Sequence, residues 1–258
     1  MNKILVFFFA LLLFGSLISS CVSPKEVLYF QTIQNDTIVG REYSYEPVLE
    51  ADDLLAINVS AADYETVMPF NLPVVSQNLL DGRATGVPVQ QNYLVQKNGT
   101  IDFPVLGNIK IAGLTRQQAK EYLIEKLKIY VEDPIINLKI MNFKITILGD
   151  VQRPGTFSIN NERITILEAL GMAGDLNITG RRDNILVIRE IDGENAYTRI
   201  DITTDEIFNN PVYYLKQNDV IYVEPNKNRM NTSAYSPWIG VVLSSVSILA
   251  TIIGYIIR

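Results

Sequence analysis

The chain of 258 residues carries 22 basic and 28 acidic side chains, a formal net charge of −6, with no histidine and one cysteine. Its acidic balance argues against nucleic acid as a partner, since phosphate recognition draws on clustered Lys and Arg. A lone cysteine excludes an internal disulfide, and without histidine a zinc site or nucleophilic triad lacks its usual side chains, so no enzyme activity, metal or cofactor is expected.

Residues 1–20 read as a secretory signal peptide: Lys3 precedes the apolar stretch Ile4 to Phe14, and small and polar residues follow. The stretch closes on Leu17-Ile18-Ser19-Ser20-Cys21, which is similar to a bacterial lipobox with Ile18 where Leu is commoner. Cys21 is the expected site of a diacylglyceryl thioether. Val22 and Ser23 come next, without the aspartate that commonly retains lipoproteins in the inner membrane, so the resemblance to sorted lipoproteins implies the outer membrane.

Residues 21–44 have polar clusters without sustained periodicity and read as a lipidated tether. Leu49-Glu50-Ala51-Asp52-Asp53 then forms a turn feeding a strand, with apolar residues at 55, 57 and 59. Adjacent strand residues point to opposite faces, so Asp52 and Asp53 are read as turn residues rather than as a glycosidase pair. Phe70 to Gln91, with Pro73, Gly82, Gly86 and Pro88, reads as a long exposed loop. Asn98-Gly99 predicts a hairpin between 93–96 and 100–103. Thr115 and Gln118 form a capping box, opening a helix that buries Ala119, Tyr122, Leu123, Leu127 and Tyr130.

Alternation over Ile136, Leu138 and Ile140 then shifts phase to Met141, Phe143, Ile145 and Ile147. A one-residue slip turns every side chain to the other face, so either a domain boundary or a bulge lies near Ile140. Beyond it, Lys144 to Leu148 and Thr156 to Ile159 are strands joined by Arg153-Pro154-Gly155-Thr156, with Gly155 expected where a positive φ is needed. Thr165 and Glu168 form a second capping box, whose helix ends at Ala173-Gly174. Asn184 to Ile191 and Tyr197 to Ile202 pair across Asp192-Gly193. The pair Arg181-Arg182 reads as solvated. Leu215-Lys216-Gln217-Asn218-Asp219 echoes the turn at Leu49, with the same Leu four residues before an Asp and an apolar strand after it.

After a linker at 227–236, residues 237–258 hold an uncharged apolar run. Trp238 to Ile257 spans about 20 residues, ~30 Å as a helix, which matches a bilayer core. Gly240, Ser244, Ser247, Thr251 and Gly254 fall on one face of that helix. They suit close helix packing or the wet side of a pore stave, with Val242, Val246, Leu249 and Ile253 toward lipid. Trp238, Tyr255 and Arg258 are the expected membrane-interface anchors.

Gly149-Asp150-Val151-Gln152-Arg153-Pro154-Gly155-Thr156-Phe157, then Thr165-Ile166-Leu167-Glu168-Ala169-Leu170 and Ala173-Gly174, closed by Asn218-Asp219-Val220-Ile221-Tyr222-Val223, resembles the SLBB module, a β-grasp that binds soluble ligands. Residues 45–141 resemble the polysaccharide export domain, and 142–226 the SLBB module. In this order the chain is similar to Wza-like outer-membrane polysaccharide export lipoproteins, with one SLBB module where larger members have more. The resemblance implies an α+β fold and a ring of identical subunits, with C-terminal helices gathered into an α-helical pore through the outer membrane. Its implied partners are the polysaccharide, outer-membrane lipid and an inner-membrane copolymerase or tyrosine autokinase. Arg153, Pro154 and Gly155 become candidate saccharide or subunit contacts. A conduit for polymer is thus the leading function; a saccharide-binding or scaffolding lipoprotein that transports nothing is the alternative.

Overall fold

The computed structural model describes residues 27–33, 46–76, 88–191, 193–227, 229 and scattered helical positions between 241 and 254. These form two α+β bodies, each around its own apolar cluster.

The first body is built on β1 (Leu54–Ser60), the central strand of a three-stranded sheet. It pairs antiparallel with β7 (Ile135–Ile140) on one side and β4 (Tyr93–Leu94) on the other. Leu55, Ile57 and Val59 are all 2 % exposed or less, as their alternation demands. Between these strands come α1 (Tyr64–Val67), β2 (Val74–Ser76), β3 (Pro88–Gln90), β5 (Thr100–Phe103), β6 (Gly107–Lys110) and α2 (Arg116–Leu127). Thr115 opens α2 through a reciprocal capping box with Gln118. Ala119, Leu123 and Leu127 are buried, while Tyr130 lies beyond the helix end and is half exposed.

Two local readings change. The stretch 70–91 is not all loop, because β2 and β3 pair as an antiparallel ribbon. The Asn98-Gly99 turn is present, with Gly99 at φ +82 and Gln96 N–H donating to Thr100 O at 2.8 Å. However, β5 leaves it to pair with β6, while β4 pairs with β1. The turn residues set the reversal, and the apolar faces choose the partner strand.

The second body is a five-stranded sheet in the order β11 (Glu194–Ile200), β10 (Gly180–Ile191), β12 (Val220–Pro225), β8 (Lys144–Gly149), β9 (Gly155–Ser158). Only the β12–β8 pair is parallel. Against it packs α3 (Ile166–Met172), opened by the Thr165–Glu168 capping box and burying Ile166, Ala169 and Leu170. The phase shift after Ile140 has a structural cause. Strand β7 ends there in one sheet and β8 begins at Lys144 in another, and Ile140 touches both cores.

The two turns that echo each other in sequence share one geometry. Asp52 and Asn218 both take left-handed φ, at 70° and 64°, and Leu49 and Leu215 are fully buried. Each following Asp is buried and accepts the N–H of the second turn residue: Glu50 to Asp53 at 2.9 Å, Lys216 to Asp219 at 2.7 Å. The turns meet between the bodies, where Lys216 and Glu50 form an ion pair at 3.2 Å.

Residues 27–33, which carry no periodicity to announce it, lie along the second body. Phe30 and Gln31 donate backbone N–H groups to Ile202 and Thr203, and the Phe30 ring stacks on Phe208 at 5.4 Å. The Tyr29 hydroxyl donates to Asp175, and the Arg182 guanidinium lies over the Tyr29 ring at 5.3 Å.

Candidate functional site

The predicted site residues fall into two groups. Cys21, Trp238, Gly240, Tyr255 and Arg258 lie outside the described residues, as do residues 1–20, expected to be a signal peptide, and most of the segment 237–258. Among the described residues no helix is long and apolar enough to cross a membrane. Ser244, Ser247, Thr251 and Gly254 are described, helical and exposed. The Thr251 hydroxyl donates to Ser247 O, one turn back, at 2.8 Å. A hydroxyl held this way keeps its lone pairs turned outward.

The turn at Arg153 is built by the end of β8. Gly149 has φ +91, and a Cβ there would sit 2.0 Å from the carbonyl oxygen of Val223. Only glycine lets β12 come this close. Arg153 is exposed, but its guanidinium donates to Met172 O at 3.2 Å and its backbone N–H to Ala173 O at 2.8 Å. It therefore lies over the C-terminal end of α3, where a cation complements the helix's unpaired carbonyls. Pro154 is exposed and Gly155 opens β9; the positive φ expected at Gly155 is found instead at Gly149 and Gly174. As a contact surface, this turn is more committed to its own helix than its sequence suggests.

Asp150, beside Gly149, is the residue that composition and spacing leave unmarked. It is 3 % exposed, and its carboxylate accepts from Asn177 Nδ2 at 2.7 Å, Thr179 Oγ1 at 2.5 Å and the Arg229 guanidinium. Burial alone would raise its pKa, but these donors outweigh it and hold the carboxyl below its usual range. Asn226 donates its N–H to Thr179 O at 2.7 Å and caps the next turn by accepting from Arg229 N at 3.0 Å. The chain that leaves β12 toward 237–258 is thus rooted on a buried carboxylate. The one sequence signal was the acidic residue inside the Gly-Asp-Val run.

Of the arginine pair, Arg181 pairs with Asp183 and Glu224, as an exposed residue would. Arg182 does not fit the solvated reading: it is 4 % exposed and donates to the carbonyls of Gly180 at 3.0 Å and Asn177 at 3.3 Å. It closes the loop on which Tyr29 rests.

Asp53 differs from its counterpart in one respect. Asp219 is clamped by Arg189, whose Nε and Nη2 donate at 2.9 and 2.6 Å, whereas Asp53 has no cationic partner among the described residues. It lines a cavity of about 30 Å³ with Glu50, Lys216 and Gln217. Burial pushes its carboxyl from 3.8 to about 6, against the lowering effect of the Glu50 N–H. The folded chain therefore holds a proton that the unfolded chain releases near 3.8. Stability from this group is fully present below that value and is lost as pH rises through about 6. A gap of about 2 units at ~1.4 kcal/mol each sets an upper bound of ~3 kcal/mol. Asp53→Asn keeps an acceptor for Glu50 N–H and is expected to stabilise the chain at neutral pH by up to that amount, with no gain near pH 4. Urea midpoints of the parent and variant across this range check it; a constant difference would reject it.

Residues 41–141 match the family described as polysaccharide biosynthesis/export protein, and residues 143–223 match the SLBB domain. The EPS I polysaccharide export outer membrane protein EpsA of Ralstonia solanacearum is 29 % identical over 147 residues, 55 % of this chain and 38 % of that protein. Its counterpart in Ralstonia nicotianae is 32 % identical over 97 residues, 36 % of this chain and 26 % of that protein. The aligned parts thus span well under half of either relative. The two family matches fall in order on the two bodies, one on the sheet of β1 and one on the sheet of Gly149 and Asp150. The chain belongs to the Wza-like polysaccharide export proteins, with one SLBB module behind its export domain.

Proposed function

We propose that this protein is an outer-membrane lipoprotein subunit of a ring that exports polysaccharide, its terminal helices lining the path by which polymer crosses the membrane. The relatives named as polysaccharide export outer membrane proteins support the role and the location. One structural observation carries the reading furthest. Both membrane-directed segments leave from the SLBB body: 27–33 lies against it about six residues after Cys21, a reach of at most ~20 Å, and the terminal segment is rooted on it through Asp150, Asn226 and Arg229. A lipid at Cys21 and a spanning segment from 237 would then set the SLBB body next to the membrane. The export domain would face the periplasm and an inner-membrane copolymerase or tyrosine autokinase. Polymer is moved without chemistry, through a hydrated channel faced by Gly240, Ser244, Ser247, Thr251 and Gly254.

Replacing Ser244, Ser247 and Thr251 together with Leu is expected to abolish surface polymer while the protein still accumulates and assembles. Three leucines close a narrow wet face and leave an apolar helix able to insert. Normal polymer display by a normally assembled variant overturns the conduit and leaves a scaffolding lipoprotein. A C-terminal epitope exposed on intact cells would further support the outer-membrane crossing.

A further inference from the structure

Sharing Pro47, Ile140 and Phe143 with the cavity of Asp53, a larger cleft of about 360 Å³ opens between the two bodies. That lies within the roughly 300–1,000 Å³ of small-ligand sites. One wall comes from α2 and β7, which present Arg116, Lys120 and Lys139; the other is the loop after β9, with Asn160, Asn161 and Glu162. The cleft thus holds three cations against one carboxylate in a chain whose overall charge is −6. Arg116 and Glu162 satisfy each other across it as an ion pair. Lys139, on the edge strand of its sheet, forms no ion pair among the described residues, and Lys120 acts on Glu162 only through space. Two amines are left to face an anion, beside amides able both to donate to and accept from hydroxyls. Ile140 and Phe143 give the cleft an apolar floor on which a sugar ring can rest.

We propose that this cleft binds a carboxylate-bearing saccharide, a uronic-acid unit, with Lys120 and Lys139 taking the carboxylate and Asn160 and Asn161 the hydroxyls. The inference deepens the export reading and rests on it for the source of the ligand, the polymer in transit. A neutral sugar would leave both amines unused, since its hydroxyls carry no charge to pair with an ammonium.

The test is calorimetric titration of the full chain in detergent with oligogalacturonate and with maltooligosaccharide of equal length. Oligogalacturonate is expected to bind at least about tenfold more tightly, and Lys120→Gln and Lys139→Gln each to weaken it about tenfold. Added salt should weaken it too. Equal binding of the neutral oligomer, no binding of either, or binding unchanged in Lys120→Glu/Lys139→Glu overturns the proposal; unaltered near-ultraviolet circular dichroism certifies that each variant is folded. The two readings fail separately. Loss of the whole chain without loss of surface polymer refutes export and leaves oligogalacturonate binding measurable. Absent binding, with the Ser-to-Leu variants still blocking display, refutes the cleft alone.

Discussion

Gly149→Ala is expected to unfold the SLBB body or to cost it more than about 4 kcal/mol, a large share of the 5–15 kcal/mol that holds an ordinary domain together. Two penalties add. The backbone at φ +91 is strained for any residue with a Cβ. That Cβ would also lie 2.0 Å from Val223 O, the same oxygen that accepts the Asp150 N–H at 2.9 Å. To relieve the clash, β12 must move off β8, and it carries Asn226 and the root of the terminal segment with it. Gly107→Ala separates the terms: Gly107 has φ +74, and nothing lies within 4 Å of the point a Cβ would occupy there. It should cost only about 1 kcal/mol. Urea unfolding of both variants measures the difference, and similar losses would show that the close approach at Val223 is unimportant.

Asp219→Asn is expected to cost about 3–5 kcal/mol, because it leaves the Arg189 guanidinium without its carboxylate in a buried setting. Asp219 is fully buried and the Arg189 side chain is 11 % exposed. The asparagine can still accept from Lys216 N–H, so the turn itself survives and the loss reports the ion pair. Adding Arg189→Met should restore part of the stability, since an apolar side chain no longer needs a countercharge. Hydrogen exchange of β10 and β12 reads the effect locally. The opposite sign expected for Asp53→Asn makes the two turns a matched pair: same backbone, same buried carboxylate, different neighbours. A destabilising Asp53→Asn at neutral pH, or a neutral Asp219→Asn, would break that contrast.

Much of the local architecture was legible. Both capping boxes, at Thr115–Gln118 and Thr165–Glu168, are sequence-adjacent hydrogen-bond pairs, and both form. The echo between Leu49–Asp53 and Leu215–Asp219 was visible because a turn's geometry is set by its own five residues, three of them in left-handed or buried roles. Alternation located β1, β7 and β8, and the phase shift at Ile140 marks where the chain leaves one sheet for another. The functional candidates divide in the same way. The terminal stripe and Cys21 were readable as patterns along the chain. Asp150 and Arg229 were not, since 79 residues separate them and neither belongs to a periodic face.

By itself, then, the sequence determined the turns, the caps, the strand faces and the order of the two modules, all of which depend on neighbours within a few residues. Tertiary structure alone decided that β5 pairs with β6, that 27–33 lies on the SLBB body, that Arg182 is buried, and that Lys120, Lys139, Asn160 and Asn161 border one cleft. It also decided the difference between Asp53 and Asp219. Burial and electrostatics depend on what packs nearby in space, and an identical turn acquires a different charge balance when Arg189 clamps the carboxylate of one copy and, among the described residues, no cation pairs with that of the other.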